Sequence, residues 1–305
     1  MKTSVVMCTY NGASHIYFQL KTINNQTRKP DEVIIQDDGS TDNTAGIIRK
    51  FISDNSLQDS WTLYENPTNL GWKKNFMDAL SKTKSDIIFL SDQDDIWDEK
   101  KIETMSEIME KDEKIELLVS KHDPFDDATG NRVNIYQPDL GEGQVSKVPL
   151  YGEFTVCRRP GCTFAISSIL IKKVGDLWQE DWSHDQFFWC MAMARRSLYS
   201  YNEPLIRFRR HEASNTPSNE KRSTIRVGLL KEELAIAENI ISNYKKIDIS
   251  EETKHKIEFS IEVYKKRIDA ILSRNPLKVL TMHKYLDYYP KKVAWVGDLF
   301  SILRS

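Results

Sequence analysis

Four short strand-like runs, each closing on polar turn residues and followed by a helix-like stretch, constrain the chain more than any other feature as far as about Ser120. They are Ser4 to Cys8, Glu32 to Gln36, Trp61 to Glu65 and Ile87 to Leu90. Strands that alternate with helical patterns are the signature of βαβ units and a mainly parallel sheet, so the fold class expected is α/β. The first and fourth runs are apolar enough to be central strands covered on both faces. Ligands of such sheets bind at the carboxyl ends of the strands. The residues there are polar: Thr9-Tyr10-Asn11-Gly12, then Asp37-Asp38-Gly39-Ser40-Thr41-Asp42, then Asn66 to Gly71, then Ser91-Asp92-Gln93-Asp94-Asp95.

From about His122 to Pro160 the pattern breaks into Gly, Pro and Asp-rich sequence, read as an irregular insertion over the site with the character of a lid. A strand-like run at Thr163 to Ser167 follows, then a helical stretch near Asp185, then a run from Leu205 into Arg209-Arg210-His211. Beyond about Glu220 the chain is Lys, Glu and Ile-rich with helical periodicity at Leu229, Leu230, Leu234, Ile236 and Ile240. The expected division is a catalytic domain over 1–218 and a helical appendage over 219–305.

With 40% hydrophobic residues in 305, the chain can bury a substantial core. A formal net charge of -2 gives no global basic field, which argues against a nucleic-acid partner. Cys8, Cys157, Cys162 and Cys190 show no metal-type spacing, so free thiols and a reducing, cytoplasmic location are expected. No apolar stretch approaches the ~20 residues of a membrane span. Any membrane contact would be peripheral, at the inner face.

Asp92, Asp94 and Asp95 follow a buried-type strand, where three crowded carboxylates repel unless a cation neutralises them. An oxygen-only set completed by substrate phosphates suits Mg²⁺ or Mn²⁺. The plainer alternative is a solvated acidic turn capping the helix that begins near Asp98. Asp37 and Asp38 end a strand where a carboxylate could accept the imide N–H of uracil or thymine, although Ser40, Thr41 or Asp42 there are explained by N-capping alone. Asp185, at a helix start, is either a cap or the general base for an acceptor hydroxyl. Arg207, Arg209, Arg210 and His211 form either a solvated basic face or a site for a diphosphate and its cation.

Taken in order, these motifs resemble the family 2 glycosyltransferases, in particular bacterial rhamnosyltransferase-like members that build cell-surface polysaccharides. Ser4 to Gly12 looks like the opening strand and nucleotide loop, and Gln36 to Thr44 like the acidic base-binding turn. Asn69-Leu70-Gly71 with Asn75 is similar to the segment approaching the donor sugar and diphosphate, and Phe89 to Trp97 to the Asp-X-Asp metal motif. The match covers about Lys2 to Asn215. The resemblance implies a GT-A fold and inversion at the anomeric carbon. It implies that Thr9, Tyr10 and Asp38 hold the base, within a loop set that includes Asn11 and Asp37, with Asp92 near the ribose and Asp94 on the metal. It makes Asp185 the catalytic base. Phe208-Arg209-Arg210-His211 with Asn215 is similar to a Tyr-Arg-Gln-His-x-x-Asn segment, which makes His211 a phosphate or metal contact. Arg210 stands in place of the glutamine, and the spacing to Asn215 is one residue longer.

The implied partners are a nucleoside diphosphate sugar donor and a saccharide or lipid-linked acceptor. Two rivals stay open at this level: a sugar-1-phosphate nucleotidyltransferase and a non-catalytic carbohydrate or nucleotide-binding module. Thr9-Tyr10-Asn11-Gly12 is not the Gly-rich, basic loop that grips a triphosphate. Finally, Tyr285, Tyr288, Tyr289, Lys291, Lys292, Trp295, Phe300 and Leu303 mix aromatic and basic residues, a composition suited either to a membrane surface or to packing within the appendage.

Overall fold

The computed structural model describes residues 1–135, 137–210, 222–289 and 293–303. The chain divides into two compact units. The first comprises Met1–Val148, Arg158–Asp185 and Ser197–Ser214, and the second Pro149–Cys157, Gln186–Arg196 and Asn215–Ser305.

The first unit is built on one sheet. Strands β1 (Thr3–Thr9), β2 (Glu32–Asp37), β3 (Trp61–Glu65) and β4 (Ile87–Ser91) are the four runs read from the sequence, and they lie parallel in the order β3-β2-β1-β4. Helices α1 (Ile16–Asn24), α2 (Thr44–Asp54) and α3 (Trp72–Ser81) make the crossovers. Every residue of β1 and β4 is buried, so both faces of these strands are covered, as their unbroken apolar character requires. Val5, Met7, Val33, Ile35 and Phe89 pack with Ile16 and Leu20 of α1 in one continuous core.

The sheet continues through short β5 (Ile96–Trp97), which precedes α4 (Lys101–Lys111), and through β6 (Leu117–Asp126), β7 (Val145–Lys147), β8 (Phe164–Ser167) and β9 (Leu198–Arg210). Helix α5 (Ser168–Val174) follows β8 directly, and α6 (His184–Ala194) precedes β9. The full order is β3-β2-β1-β4-β8-β6-β9-β5, with β7 on β9. Strand β8 runs antiparallel to both β4 and β6, whereas β6 and β9 are parallel. The stretch from about His122, expected to be irregular, begins as the second half of β6. Its backbone is paired along β9 through register shifts between Ser120 and Asp123, a partner that no local pattern announces.

The second unit is helical. It contains α7 (Arg222–Ser242), α8 (Tyr244–Ile247), α9 (Glu251–Leu272), α10 (Pro276–Thr281) and α11 (Val293–Leu303), with most of α6. In α6, Phe187 to Ala194 are all buried, which suits a helix that is apolar all round. Asn275 caps α10 by accepting from the Leu277 amide at 2.9 Å, and Pro276 fills its first turn. No helix among the described residues is long and apolar enough to cross a membrane.

Asp298 of α11 is 1% exposed and lies between two guanidinium groups. Arg267 donates to it from Nε at 2.8 Å and from a terminal nitrogen at 3.3 Å, and Arg226 forms a further ion pair. Removing this carboxylate takes the ion-pair partner from both arginines and leaves Glu233 as the other acid that acts on them. Asp298→Ala is therefore expected to destabilise the protein by about 3–5 kcal/mol in urea unfolding. A loss below about 1 kcal/mol, the level of a surface pair, would show that water already solvates both arginines.

Candidate functional site

The parallel register sets the site. Thr9 pairs with Asp37 and Met7 with Ser91, so the polar ends of β1, β2 and β4 emerge side by side. Thr9 donates to Asp37 Oδ1 at 2.8 Å, and Ser40 donates to the same carboxylate from its hydroxyl at 2.6 Å and its amide at 2.8 Å. Asn11, at φ 48°, accepts from the Thr41 amide at 2.8 Å, and its own amide donates to Ser40 Oγ at 2.9 Å. Asp42 caps the start of α2 by accepting from the Thr44 amide at 2.9 Å, so the capping role read at Ser40 to Asp42 belongs to it.

Asp38 organises the third loop. Its Oδ1 accepts from Asn66 at 2.8 Å and from the Leu70 amide at 2.7 Å, and its Oδ2 accepts from the Gly71 amide at 2.9 Å. Gly71 also donates to Asn69 Oδ1 at 2.9 Å, with φ of +83°, a conformation in which a side chain is strained. Asn75, 1% exposed, donates to the Gln36 carbonyl at 3.0 Å and accepts from Asn66 at 2.7 Å. Thr9, Asn11, Asp37, Asp38, Asn69, Gly71 and Asn75 thus belong to one hydrogen-bonded loop system, while Tyr10 projects from it, 45% exposed.

The acidic segment after β4 is not a solvated turn. Asp95 is 1% exposed, Asp92 and Asp94 are half-buried, and none of the three caps α4; Asp98 closes the turn ahead of it by accepting from the Lys100 amide at 2.9 Å. Single ligand atoms of Asp92, Asp95 and Cys162 all lie within 4.8 Å of one another. Burial raises the Asp92 carboxyl well above the usual carboxylate range, with Asp95, Asp94 and Asp185 adding to the shift. Burial also pushes Asp95 up to about 7, helped by Asp94. Both carboxyls therefore demand positive charge or a proton. Asp95 Oδ1 accepts from the Arg209 amide at 3.1 Å, whereas its Oδ2 has no hydrogen-bond partner among the described residues. An orphaned buried oxygen grouped with the Asp92 carboxylate and the Cys162 thiol fits a divalent cation.

Gln93 and Lys101, to which the sequence assigned no role, and Arg209, read there as a phosphate ligand, hold this segment in place. Gln93 pairs its side-chain amide with the Tyr10 backbone, accepting from N–H at 2.9 Å and donating to C=O at 3.1 Å, so the metal-type loop is tied to the nucleotide-type loop. A Cβ on Gly12 would stand 2.2 Å from Gln93 Oε1, which explains the glycine. Lys101, fully buried, donates from Nζ to the Cys162 carbonyl at 2.6 Å, and burial pulls it down to about 7 against the opposing pull of Cys162, Asp95 and Asp92. Arg209 donates from Nε to the Asp94 carbonyl at 2.6 Å and forms an ion pair with Asp127.

Asp185 opens α6 and lies close enough to Asp92 to raise its carboxyl. A Cβ on Gly161 would be 3.2 Å from the Asp185 Cβ and 3.0 Å from His184 Nε2, tight contacts that a larger residue would meet only if these neighbours gave by a few tenths of an ångström. His184 is 4% exposed, stacked on Phe76 at 4.0 Å with Trp72 edge-on at 5.6 Å. Arg210 ends β9, and its carbonyl accepts from the Asp127 amide at 3.0 Å. His211 and Asn215 lie outside the described residues. Of the C-terminal aromatics, Tyr289 is buried, Tyr285 and Tyr288 meet Phe259 at 6.2 and 5.3 Å, and Trp295 Nε1 donates to the Val279 carbonyl at 2.6 Å. Phe300 is 54% exposed. Lys291 and Lys292 lie outside the described residues, as does the side chain of Leu303.

Comparison with known proteins adds an independent finding. The model of glycosyl transferase family 2 matches residues 4–201. A dTDP-rhamnosyl transferase of Shigella flexneri, RfbG, is 30% identical over 230 residues, covering 70% of this chain and 74% of that protein. An uncharacterized glycosyltransferase of Rickettsia typhi is 27% identical over 219 residues, 70% of this chain but 65% of the relative's own length. Among solved structures, Staphylococcus aureus TarS 1–349 in complex with UDP-GlcNAc superposes with a TM-score of 0.67 at 18% identity, covering 99% of this chain and 89% of that one. The mannosyltransferase PcManGT from Pyrobaculum calidifontis, in complex with GDP-Man and Mn²⁺, gives 0.52 at 14% identity over 99% and 85% of the two chains. These two likenesses are of fold, and they agree with the GT-A type and the helical C-terminal region expected from the sequence.

Burial lowers the His184 imidazole from 6.5 to about 4, so the folded protein holds it neutral while the unfolded chain takes up a proton below pH 6.5. Stability should then fall as the pH drops through 6.5 and level off near 4. Between those limits the wild type is expected to lose about 3 kcal/mol more than His184→Phe, which keeps an aromatic ring and cannot titrate. Equal losses in urea titrations at the two pH values would mean that His184 ionises in the fold as freely as outside it.

Proposed function

Since the chain belongs to glycosyl transferase family 2, we propose that this enzyme transfers a sugar, with inversion, from a nucleoside diphosphate donor to an acceptor hydroxyl with the help of a divalent cation. The observations that support the reading are the grouping of Asp92 and Asp95 with Cys162 after β4 and the close approach of Asp185 to the neighbouring Gly161.

The donor's base lies against Tyr10, whose exposed ring offers a stacking face. An ionised carboxylate has about four lone-pair sites. Asp38 uses three of them on Asn66, Leu70 and Gly71, and the fourth accepts an imide N–H of the base. Thr9, Asn11 and Asp37 hold that loop in shape, while Asn69, Gly71 and Asn75 line the approach to the sugar and diphosphate. Asp92 stands near the ribose. Mg²⁺ or Mn²⁺ held by Asp94 would supply the charge that neutralises the departing diphosphate. Arg210 and His211 meet the phosphate oxygens, and Arg209 adds the donors that Asp94 and Asp127 leave over.

Asp185 takes the proton of the acceptor hydroxyl, whose oxygen attacks the anomeric carbon from the face opposite the leaving phosphate. The bond to the phosphate oxygen breaks as the new glycosidic bond forms, and no covalent intermediate is needed. The name of the Shigella relative makes dTDP-rhamnose the first donor to try. The proposed acceptor is a saccharide or a lipid-linked hydroxyl in cell-surface polysaccharide synthesis.

A lipid-linked acceptor sits at a membrane, and the exposed Phe300, Leu277 (70%) and Leu280 (41%) of the helical unit suit peripheral contact with the inner face. Leu277→Glu/Leu280→Glu/Phe300→Glu is expected to abolish flotation with anionic vesicles. Flotation equal to wild type, or none by wild type itself, removes the membrane contact from the proposal.

Asp185→Asn keeps the shape of the side chain and loses its basicity. It is expected to lower transfer about 10²–10⁴-fold while the donor dissociation constant stays within about threefold. Weakened donor binding with normal turnover at saturation would make Asp185 a donor ligand instead. Release of pyrophosphate from a nucleoside triphosphate and sugar-1-phosphate would sink the transfer reading altogether.

A further inference from the structure

Lys101 is in an electrostatically poor place. It is fully buried in the first turn of α4, where the helix dipole presents its positive end and disfavours a cation. A buried ammonium survives only where other groups compensate for its lost water. Its Nζ lies 3.6 Å from the centroid of the Trp97 ring and 2.6 Å from the Cys162 carbonyl. Neither partner carries a formal charge. Cys162, Asp95 and Asp92 all act on its charge, and their ligand atoms lie within 4.8 Å of one another. Asp95 Oδ1 accepts from the Arg209 amide, while Oδ2 has no hydrogen-bond partner among the described residues, so the Lys101 charge adds across space to what the direct bonds supply.

We propose that Lys101 is the resident cation of the acidic segment: a positioning residue that holds Asp92 and Asp95 in place before a divalent ion arrives and limits how tightly that ion binds. Three carboxylates without a counter-charge would repel and open the loop after β4. The ammonium form of Lys101 behind them offsets that repulsion. The same charge opposes an incoming divalent cation, so the ion is held by the acids less tightly than they alone would hold it, which favours its release with the product. The tether to the Cys162 carbonyl also fixes the turn at Gly161–Thr163, against which Asp185 lies.

The inference rests on the divalent site proposed above, and Lys101→Met separates the two ideas. Thermal unfolding is followed in EDTA and in excess Mn²⁺, and Mn²⁺ binding by the electron paramagnetic resonance of the free ion. The expected result is a Tm in EDTA well below wild type, a larger recovery on adding Mn²⁺ than wild type shows, and Mn²⁺ binding tightened by at least about tenfold. A lysine that merely packs would lower Tm equally in both media and leave Mn²⁺ affinity unchanged or weaker, and that outcome overturns the proposal. If wild type binds no Mn²⁺, the divalent reading fails and the limit on ion affinity fails with it, while the positioning role stands or falls on whether Lys101→Met/Asp95→Asn recovers the Tm in EDTA that Lys101→Met loses. If Lys101→Met does not fold, Lys101→Met/Asp95→Asn, which removes one charge of each sign, is expected to fold again. Failure of that double variant also overturns the proposal.

Discussion

The parallel register of β1, β2 and β4 is the constraint on which the rest of the first unit depends. Hydrogen bonds along these strands bring Thr9 beside Asp37 and Met7 beside Ser91, so three polar chain segments leave the sheet at one edge. Close packing on both faces keeps the register from slipping, because a one-residue shift would set every side chain against neighbours shaped for a different one. A loop system held by Asp37, Asp38, Asn66 and Asn75 then needs little further support.

That geometry has an electrostatic consequence. The segment after β4 carries its carboxylates into a place with little water, and burial together with mutual repulsion raises Asp92 and Asp95. The chain answers with positive charge of its own: the Arg209 amide and guanidinium on one side, and the Lys101 ammonium behind Cys162 on the other. Asp94 and Asp92 stay half-buried, where an external cation and a donor could reach them. A site of this kind is organised before ligand arrives, which is the condition for electrostatic stabilisation of a developing charge.

Two glycines show how tightly the surrounding segments approach. Gly12 leaves room for the amide of Gln93, and Gly161 leaves room for His184 and the first turn of α6. A larger residue at Gly12 would displace the Gln93 amide from the Tyr10 backbone, and one at Gly161 would press on His184 and Asp185. In the helical unit a different device serves, with Asp298 compensating Arg226 and Arg267 out of water.

The sequence alone determined the four parallel strands, the polar ends that follow them and the family to which the chain belongs. Those features are local: apolar runs of strand length, turn residues and short motifs report on their own neighbourhood. It also marked Asp92, Asp94, Asp95 and Asp185 as the acids to examine. Only the tertiary structure decided that β6 continues past His122 alongside β9, and that residues 149–157 and 186–196 join the helical unit. It likewise revealed Gln93, Lys101, Cys162 and the Arg209–Asp127 pair as parts of the site. Their partners stand tens of residues away in the chain, and an ordinary lysine or glutamine carries no sign of its role until folding buries it beside a charge or a backbone that must be satisfied.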